Sequence, residues 1–319
     1  MRLPELKIGE LVAKIPIVQG GMAVRISTAP LAAAVASEGG IGLIAGTGMS
    51  VSELRREIRE ARRLSTGIIG VNVLFAASQF GRLVKAALEE GIDLVVSGAG
   101  FSRDMFDWGK EARTAIVPIV SSARLARIAE KLGAAAVVVE GGEAGGHLGT
   151  DRSWKEIVPE VREAVKIPVI AAGGIIEGKD VLEAFSRGAN GVQMGTRFAA
   201  SAESGAAPEL KAAYVAAQEK DVVIIESPVG LPGRAVRNPF VDRVMFQKAD
   251  DELKCTHCLK HCSKKFCILK ALRQAQQGRL EEGLIFTGQQ IEKIKDILPV
   301  KTIFQRLLQE IDALTAKGG

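Results

Sequence analysis

The chain is poor in aromatic residues: Phe, Trp and Tyr together make up 4% of its 319 residues. Any core it builds must be aliphatic, and a hydrophobic content of 47% is enough for a large one. No apolar run approaches the ~18 residues needed to cross a bilayer. The opening stretch "MRLPELKIGELVAKIPIVQGG" carries charges every few residues, unlike an export signal. A cytoplasmic protein without a membrane partner is expected. There is also no long block of Lys and Arg, so the net charge of +5 reads as a solvated surface and not as a nucleic-acid face. Cysteine is scarce and local. All four lie between Cys255 and Cys267, which excludes a disulfide framework spread over the chain. Of three histidines, His257 and His261 fall in that same segment and His147 stands alone.

What is present is a rhythm. From Ile15 to about Arg197, eight short apolar runs ("PIVQ", "IGLIAG", "GVNVLF", "DLVVSG", "AIVPIV", "AAVVVE", "PVIAAG", "GVQMG") alternate with amphipathic stretches such as "VSELRREIREARRL" and "SARLARIAEKLG". Apolar strands separated by helices imply a parallel sheet covered on both faces, and eight such units close a (β/α)8 TIM barrel. Each run ends in small or polar residues, which in a barrel gather on one rim. A doubly wound sheet would place one glycine-rich turn near its start, whereas here glycine recurs at nearly every strand end. "GIGLIA" at Gly40 runs into a strand instead of leaving one, and "GGIIEGKD" at Gly173 has Asp180 where a P-loop needs a hydroxyl. Neither is a nucleotide motif. The barrel is expected over residues 1–217. Residues 218–319 read as an extension packed over it, with the cysteine segment (255–267) and a helical tail that returns to the barrel.

The last two strand ends read as a phosphate site. Gly173 and Gly174 let backbone N–H groups approach an anion, and Gly195 with Thr196 adds donors at the next helix start. The stretch "EGGEAGGHLG" from Glu140 has a different purpose. Gly145 and Gly146, with the two glycines before them, let the backbone pass close to a flat ligand and carry His147 over the rim. An imidazole there can exchange a proton at neutral pH.

"QGGM" at Gln19, "GVNVLF" at Gly70, "EGGEAGGHLG" at Glu140, "AAGGI" at Ala171 and "QMGTRF" at Gln193 resemble the flavin-dependent nitronate monooxygenases, formerly 2-nitropropane dioxygenases, and the related flavin enoyl-ACP reductases. The likeness covers roughly residues 1–240, and "TGQQ" at Thr287 resembles that family's C-terminal return to the active site. The resemblance implies FMN in the barrel mouth. Its phosphate would rest on Gly174 and on the turn from Gln193 through Met194 and Gly195 to Thr196, its ring near Gly21, Met22, Asn72, Glu140 and Gly145. It implies an oxidoreductase, NAD(P)H as a possible electron donor, a small-molecule or acyl-thioester substrate, and a homodimer.

Two reactions fit. Reduced flavin can deliver hydride to an enoyl thioester while His147 protonates the α-carbon or positions the carbonyl. Alternatively, His147 serves a nitronate that flavin oxidises with O2. Glu140 resembles the reductases, since nitronate monooxygenases usually carry Gln there, and this tilts the reading toward reduction. A non-catalytic flavin- or metal-binding regulator is the third possibility.

"KCTHCLKHCSKKFC" departs from the family pattern. Cys255, Cys258, Cys262 and Cys267 supply four soft ligands at C-x2-C-x3-C-x4-C spacing. Zinc suits it, with His257 or His261 able to replace a thiolate. A [4Fe-4S] cluster suits it too and is preferred, because the first three cysteines resemble the spacing of iron–sulfur flavin-barrel reductases. Such a cluster would let an acidic electron carrier dock at Lys254, Lys260, Lys264 and Lys265.

Overall fold

The computed structural model describes residues 3–246 and 255–317. Lys254 lies outside them. A short antiparallel hairpin, β1 (Leu6–Ile8) and β2 (Leu11–Ala13), precedes the barrel. Six strands follow, β3 (Ile17–Gln19), β4 (Ile41–Ala45), β5 (Ile68–Leu74), β6 (Leu94–Gly98), β7 (Ala115–Val120) and β8 (Val137–Glu140). A two-residue strand, β9 (Gly146–His147), then interrupts the series before β10 (Val169–Ala172) and β11 (Gly191–Met194). Strands β3 to β8, β10 and β11 pair in parallel and close on themselves, β11 against β3. The eight apolar runs are the eight staves of a TIM barrel.

Strand alternation divides the core in two. Val18, Leu43, Val96, Val117, Val138 and Ile170 point into the barrel and form one cluster with Leu6, Ile8 and Ala13 of the hairpin. The hairpin plugs the N-terminal end, where Leu6 sits against Gly191 at the start of β11. The alternate residues, among them Ile44, Val71, Val95, Val139, Val192 and Met194, face the helical layer. That layer contains α1 (Ala29–Ser37), α2 (Val51–Leu64), α3 (Phe80–Glu89), α4 (Asp104–Ala112), α5 (Ala123–Lys131), α6 (Trp154–Ala164) and α7 (Gly178–Ser186). Serines start several of them: the Ser50 and Ser122 hydroxyls accept from the backbone N–H of Glu53 and Leu125, satisfying donors that a helix start leaves free.

After β11 come α8 (Thr196–Ala199), α9 (Pro208–Ala216), an antiparallel pair β12 (Val222–Glu226) and β13 (Pro232–Val236), then α10 (Pro239–Phe246), α11 (Ile268–Gln276) and α12 (Val300–Lys317). The final helix packs against α7 and α1. Val300, Ile303, Phe304, Leu307 and Ile311 are buried in the outer barrel core, and Glu310 accepts from the Gly178 N–H at 2.6 Å. It thus completes the helical ring beside the last stave. The rest of the extension, with α9, covers the mouth: Leu210, Tyr214, Ile285, Ile291 and Ile294 join Ile26, Ile176 and Ala199 in one cluster. Among the described residues no helix is long and apolar enough to cross a membrane.

Candidate active site

A cavity of about 510 Å3 opens at the C-terminal ends of the barrel strands, within the size range of cofactor and substrate sites. The pleat decides which side chains enter it. In β5, β8 and β11 the neighbours Val71, Val139 and Val192 turn outward, so Asn72, Glu140 and Gln193 turn inward at the rim. The Asn72 Oδ1 and Gln193 Oε1 atoms are buried with no hydrogen-bond partner among the described residues. Buried polar atoms left unpaired beside a cavity are those a bound polar group would satisfy.

At the phosphate end, Gly173, Gly174, Gly195 and Thr196 line the same cavity. Gly174 has φ +65, and a Cβ there would lie 3.3 Å from the Glu143 Cβ and 3.4 Å from the Gln290 amide nitrogen. A side chain at this position is strained by the backbone and pressed by its neighbours. Gln290 Oε1 is itself buried and unpaired. The "TGQQ" segment reaches this corner because the Gly288 N–H donates to Thr196 Oγ1 at 2.9 Å and the Gln289 N–H to the Glu143 carbonyl at 3.0 Å. Gly145 makes that approach possible: a Cβ on it would meet the Thr287 carbonyl carbon at 2.6 Å.

Gly21, Met22, Asn72, Glu140, Gly145, Gly146, His147, Gly173, Gly174, Gln193, Gly195 and Thr196 all border the cavity. Met194 does not. Its side chain follows the alternation outward and is 1% exposed in the barrel–helix layer, so its contribution at the rim is the carbonyl that accepts from the Gly20 N–H at 2.9 Å. The second carboxylate of the glycine loop, Glu143, also turns away from the cavity mouth. It accepts from the Ser153 hydroxyl and, at 3.2 Å, from the Trp154 N–H, closing the start of α6.

Two titratable groups are perturbed in opposite senses. Burial pushes the Glu140 carboxyl up to about 8, and this carboxyl has no hydrogen-bond partner among the described residues. Burial pushes the His147 imidazole down to about 4. Both shifts favour the uncharged form, a carboxylic acid at Glu140 and a neutral imidazole at His147. His147 is held by residues that local sequence reading missed. β9 pairs antiparallel with β13, placing His147 opposite Gly233. Arg234 donates from Nε to the Ala144 carbonyl at 3.1 Å and from its other arm to the Gly142 carbonyl, clamping the glycine loop from the far strand. Phe286 meets the imidazole edge to face, with centroids 5.2 Å apart.

The cysteine segment borders the cavity through Thr256, His257, Cys258 and Leu259. Leu259 forms a bridge with Ala77, flanked by the Ser78 N–H to the Cys258 carbonyl at 3.0 Å and the Lys260 N–H to the Ala76 carbonyl at 2.9 Å. The four cysteines are free thiols, Cys255 exposed and the others half-buried. Among the described residues no three His, Cys, Asp or Glu side chains are gathered to hold a metal ion, so the expected ligand set is not assembled. Of the lysines beside it, Lys260 lies 3.6 Å from the Phe75 ring centroid and Lys265 pairs with Glu226.

The nitronate monooxygenase family model matches residues 5–310. The chain belongs to this family. It is therefore an oxidoreductase, and the reading as a non-catalytic regulator falls away. A "probable nitronate monooxygenase" of Staphylococcus aureus is 32% identical over 280 residues, covering 74% of this chain and 79% of that protein. The (3aS,4S,5R,7aS)-5-hydroxy-7a-methyl-1-oxo-octahydro-1H-indene-4-carboxyl-CoA dehydrogenase of Rhodococcus jostii is 29% identical over 296 residues, covering 93% of this chain and 78% of the relative. Among solved structures, FabK from Thermotoga maritima superimposes with a TM-score of 0.87 at 37% identity, over 95% of this chain and 94% of its own.

Proposed function

We propose that this family member is an FMN-dependent reductase of an enoyl thioester or a similarly activated double bond. The observation that carries the reading is Glu140, a carboxyl that faces the cavity at the end of β8 and whose pKa burial raises. In the family the enoyl-ACP reductases resemble this chain at Glu140, and nitronate monooxygenases usually carry Gln. Two comparisons support a thioester: the Rhodococcus relative is named for a carboxyl-CoA, and FabK is an enoyl-ACP reductase.

The cavity fits FMN on its own chemistry. The Gly173–Gly174 and Gly195–Thr196 turns would hold the phosphate, and the unpaired Asn72 Oδ1 and Gln193 Oε1 would receive ring or ribityl donors. Bound FMN would supply the hydride, with NAD(P)H as its reductant. The chain's own residues then exclude water, orient the thioester and offer it hydrogen-bond donors. Thioester reduction by NAD(P)H under anaerobic conditions tests the assignment. Turnover of an alkyl nitronate with O2 and no added reductant, in the absence of enoyl reduction, would replace it with the monooxygenase reading.

The sign of the pH dependence follows from Glu140. Its protonated form is lost as pH rises through about 8, so kcat/KM is expected to fall on the alkaline side with one ionisation in that region. Glu140→Gln keeps a neutral hydrogen-bonding group at all pH values and should remove that limb while leaving the acid side alone. If the alkaline limb survives in the variant, it belongs to another group.

A metal at the four cysteines is a second part of this proposal, and a specific observation favours it. The His257 N–H donates to Cys255 Sγ and the Lys264 N–H to Cys262 Sγ, both at 3.4 Å. His257 (φ +53) and Lys264 (φ +59) are both left-handed and each lies two residues beyond a cysteine. Backbone N–H donors turned onto sulfur are contacts of the kind that orient and support metal-bound thiolates. Anaerobically purified protein is expected to contain iron, and its visible absorption beyond flavin should bleach with dithionite. One zinc per chain without iron would make the site structural, and four freely titrating thiols with no metal would end the idea.

A further inference from the structure

The most informative contact around the site joins it to the extension across 80 residues: His147 Nε2 lies 2.8 Å from the Ser227 hydroxyl. Ser227 is 4% exposed and sits in the turn between β12 and β13. That turn is fixed at both ends, by the Ser227 N–H to the Leu231 carbonyl at 3.2 Å and the Gly230 N–H to the Ser227 carbonyl at 3.0 Å. The hydroxyl oxygen also accepts from the Val229 N–H at 3.4 Å. Among the described residues the one atom within reach that could accept the Ser227 hydroxyl hydrogen is Nε2 of His147. A neutral imidazole carries a single N–H, and if Nε2 accepts then Nδ1 holds the hydrogen. No described residue accepts a hydrogen bond from Nδ1, and the imidazole borders the cavity.

We propose that Ser227 is a positioning residue that fixes His147 as its Nδ1–H tautomer, so that the imidazole presents a hydrogen-bond donor, and not a base, to a substrate oxygen in the cavity. The inference rests on the reading of His147 as the group that faces substrate. It also deepens the choice of reaction. A donor at Nδ1 suits the carbonyl oxygen of a thioester, where negative charge grows as hydride reaches the β-carbon. Removing a proton next to a nitro group would need the opposite tautomer.

With three histidines in the chain, nitrogen NMR of 15N-histidine-labelled holoenzyme, assigned with His147→Ala, reads the tautomer directly. A protonated Nδ1 and an unprotonated Nε2 are expected, and Ser227→Ala should convert them to a mixture. In steady-state reduction of an enoyl thioester by NAD(P)H, Ser227→Ala should lower kcat about tenfold to 100-fold, taking the range known for losing the partner that orients a metal-bound imidazole, with little change in KM. Ser227→Thr keeps the hydroxyl and should recover most of it. Once His147 is alanine, Ser227→Ala should cost nothing more. An Nε2–H signal, or a Ser227→Ala loss that persists undiminished without His147, overturns the proposal. If His147→Ala alone leaves turnover intact, the underlying reading of His147 has failed, and the spectrum still reports the tautomer independently.

Discussion

His147→Ala is expected to keep its flavin and its melting temperature while losing on the order of 10² to 10⁴ in turnover, the usual contribution of a positioned proton-transfer or hydrogen-bonding group. The structure explains why the fold should tolerate the change. The loop is held by main-chain pairing of β9 with β13 and by the Arg234 clamp on the Gly142 and Ala144 carbonyls, none of which uses the imidazole. The substitution removes one hydrogen bond to Ser227 and the edge-to-face packing on Phe286. Thermal denaturation and flavin content, measured beside kcat, separate the two outcomes. Parallel loss of flavin, stability and activity would show that His147 is there to hold the loop.

Gly174→Leu is expected to release FMN. The backbone at this position is left-handed, where a side chain is strained, and its Cβ would press on Glu143 and Gln290 at the corner assigned to the phosphate. The loop lies outside the strand pairing that closes the barrel, so far-UV circular dichroism should be unchanged while the flavin absorbance of the purified protein falls to near zero. Added FMN should restore little of it. A variant that retains stoichiometric FMN would place the phosphate elsewhere on the rim.

The barrel was legible because its signals are local. A stave buried on both faces must be apolar, and a stave end at the mouth must be small or polar, so eight runs and their endings can be read without any long-range information. The same is true of the glycine turns at Gly173 and Gly195, whose conformations are properties of one or two residues. Met194 was open to the same kind of reading. Counting the pleat from Val192 sends Met194 outward, and the side chain lies in the helical layer as that count requires.

The amino-acid sequence by itself therefore determined the closed barrel, the rim on which its strand ends gather, and the loop that carries His147. Tertiary structure alone decided what those residues are able to do. Glu140 ends an apolar strand in either description, but only the folded rim desolvates its carboxyl and pushes its pKa up. His147 is a lone imidazole in the sequence, and its partners Ser227 and Phe286, with the Arg234 that clamps its loop, arrive from an extension 80 or more residues downstream. Nothing in local periodicity ties those positions to a glycine loop, because strand pairing between β9 and β13 is set by where the extension lands on the barrel. The cysteine segment shows the same division: its spacing is written in the chain, whereas its place against the loop after β5, bordering the cavity, follows from packing.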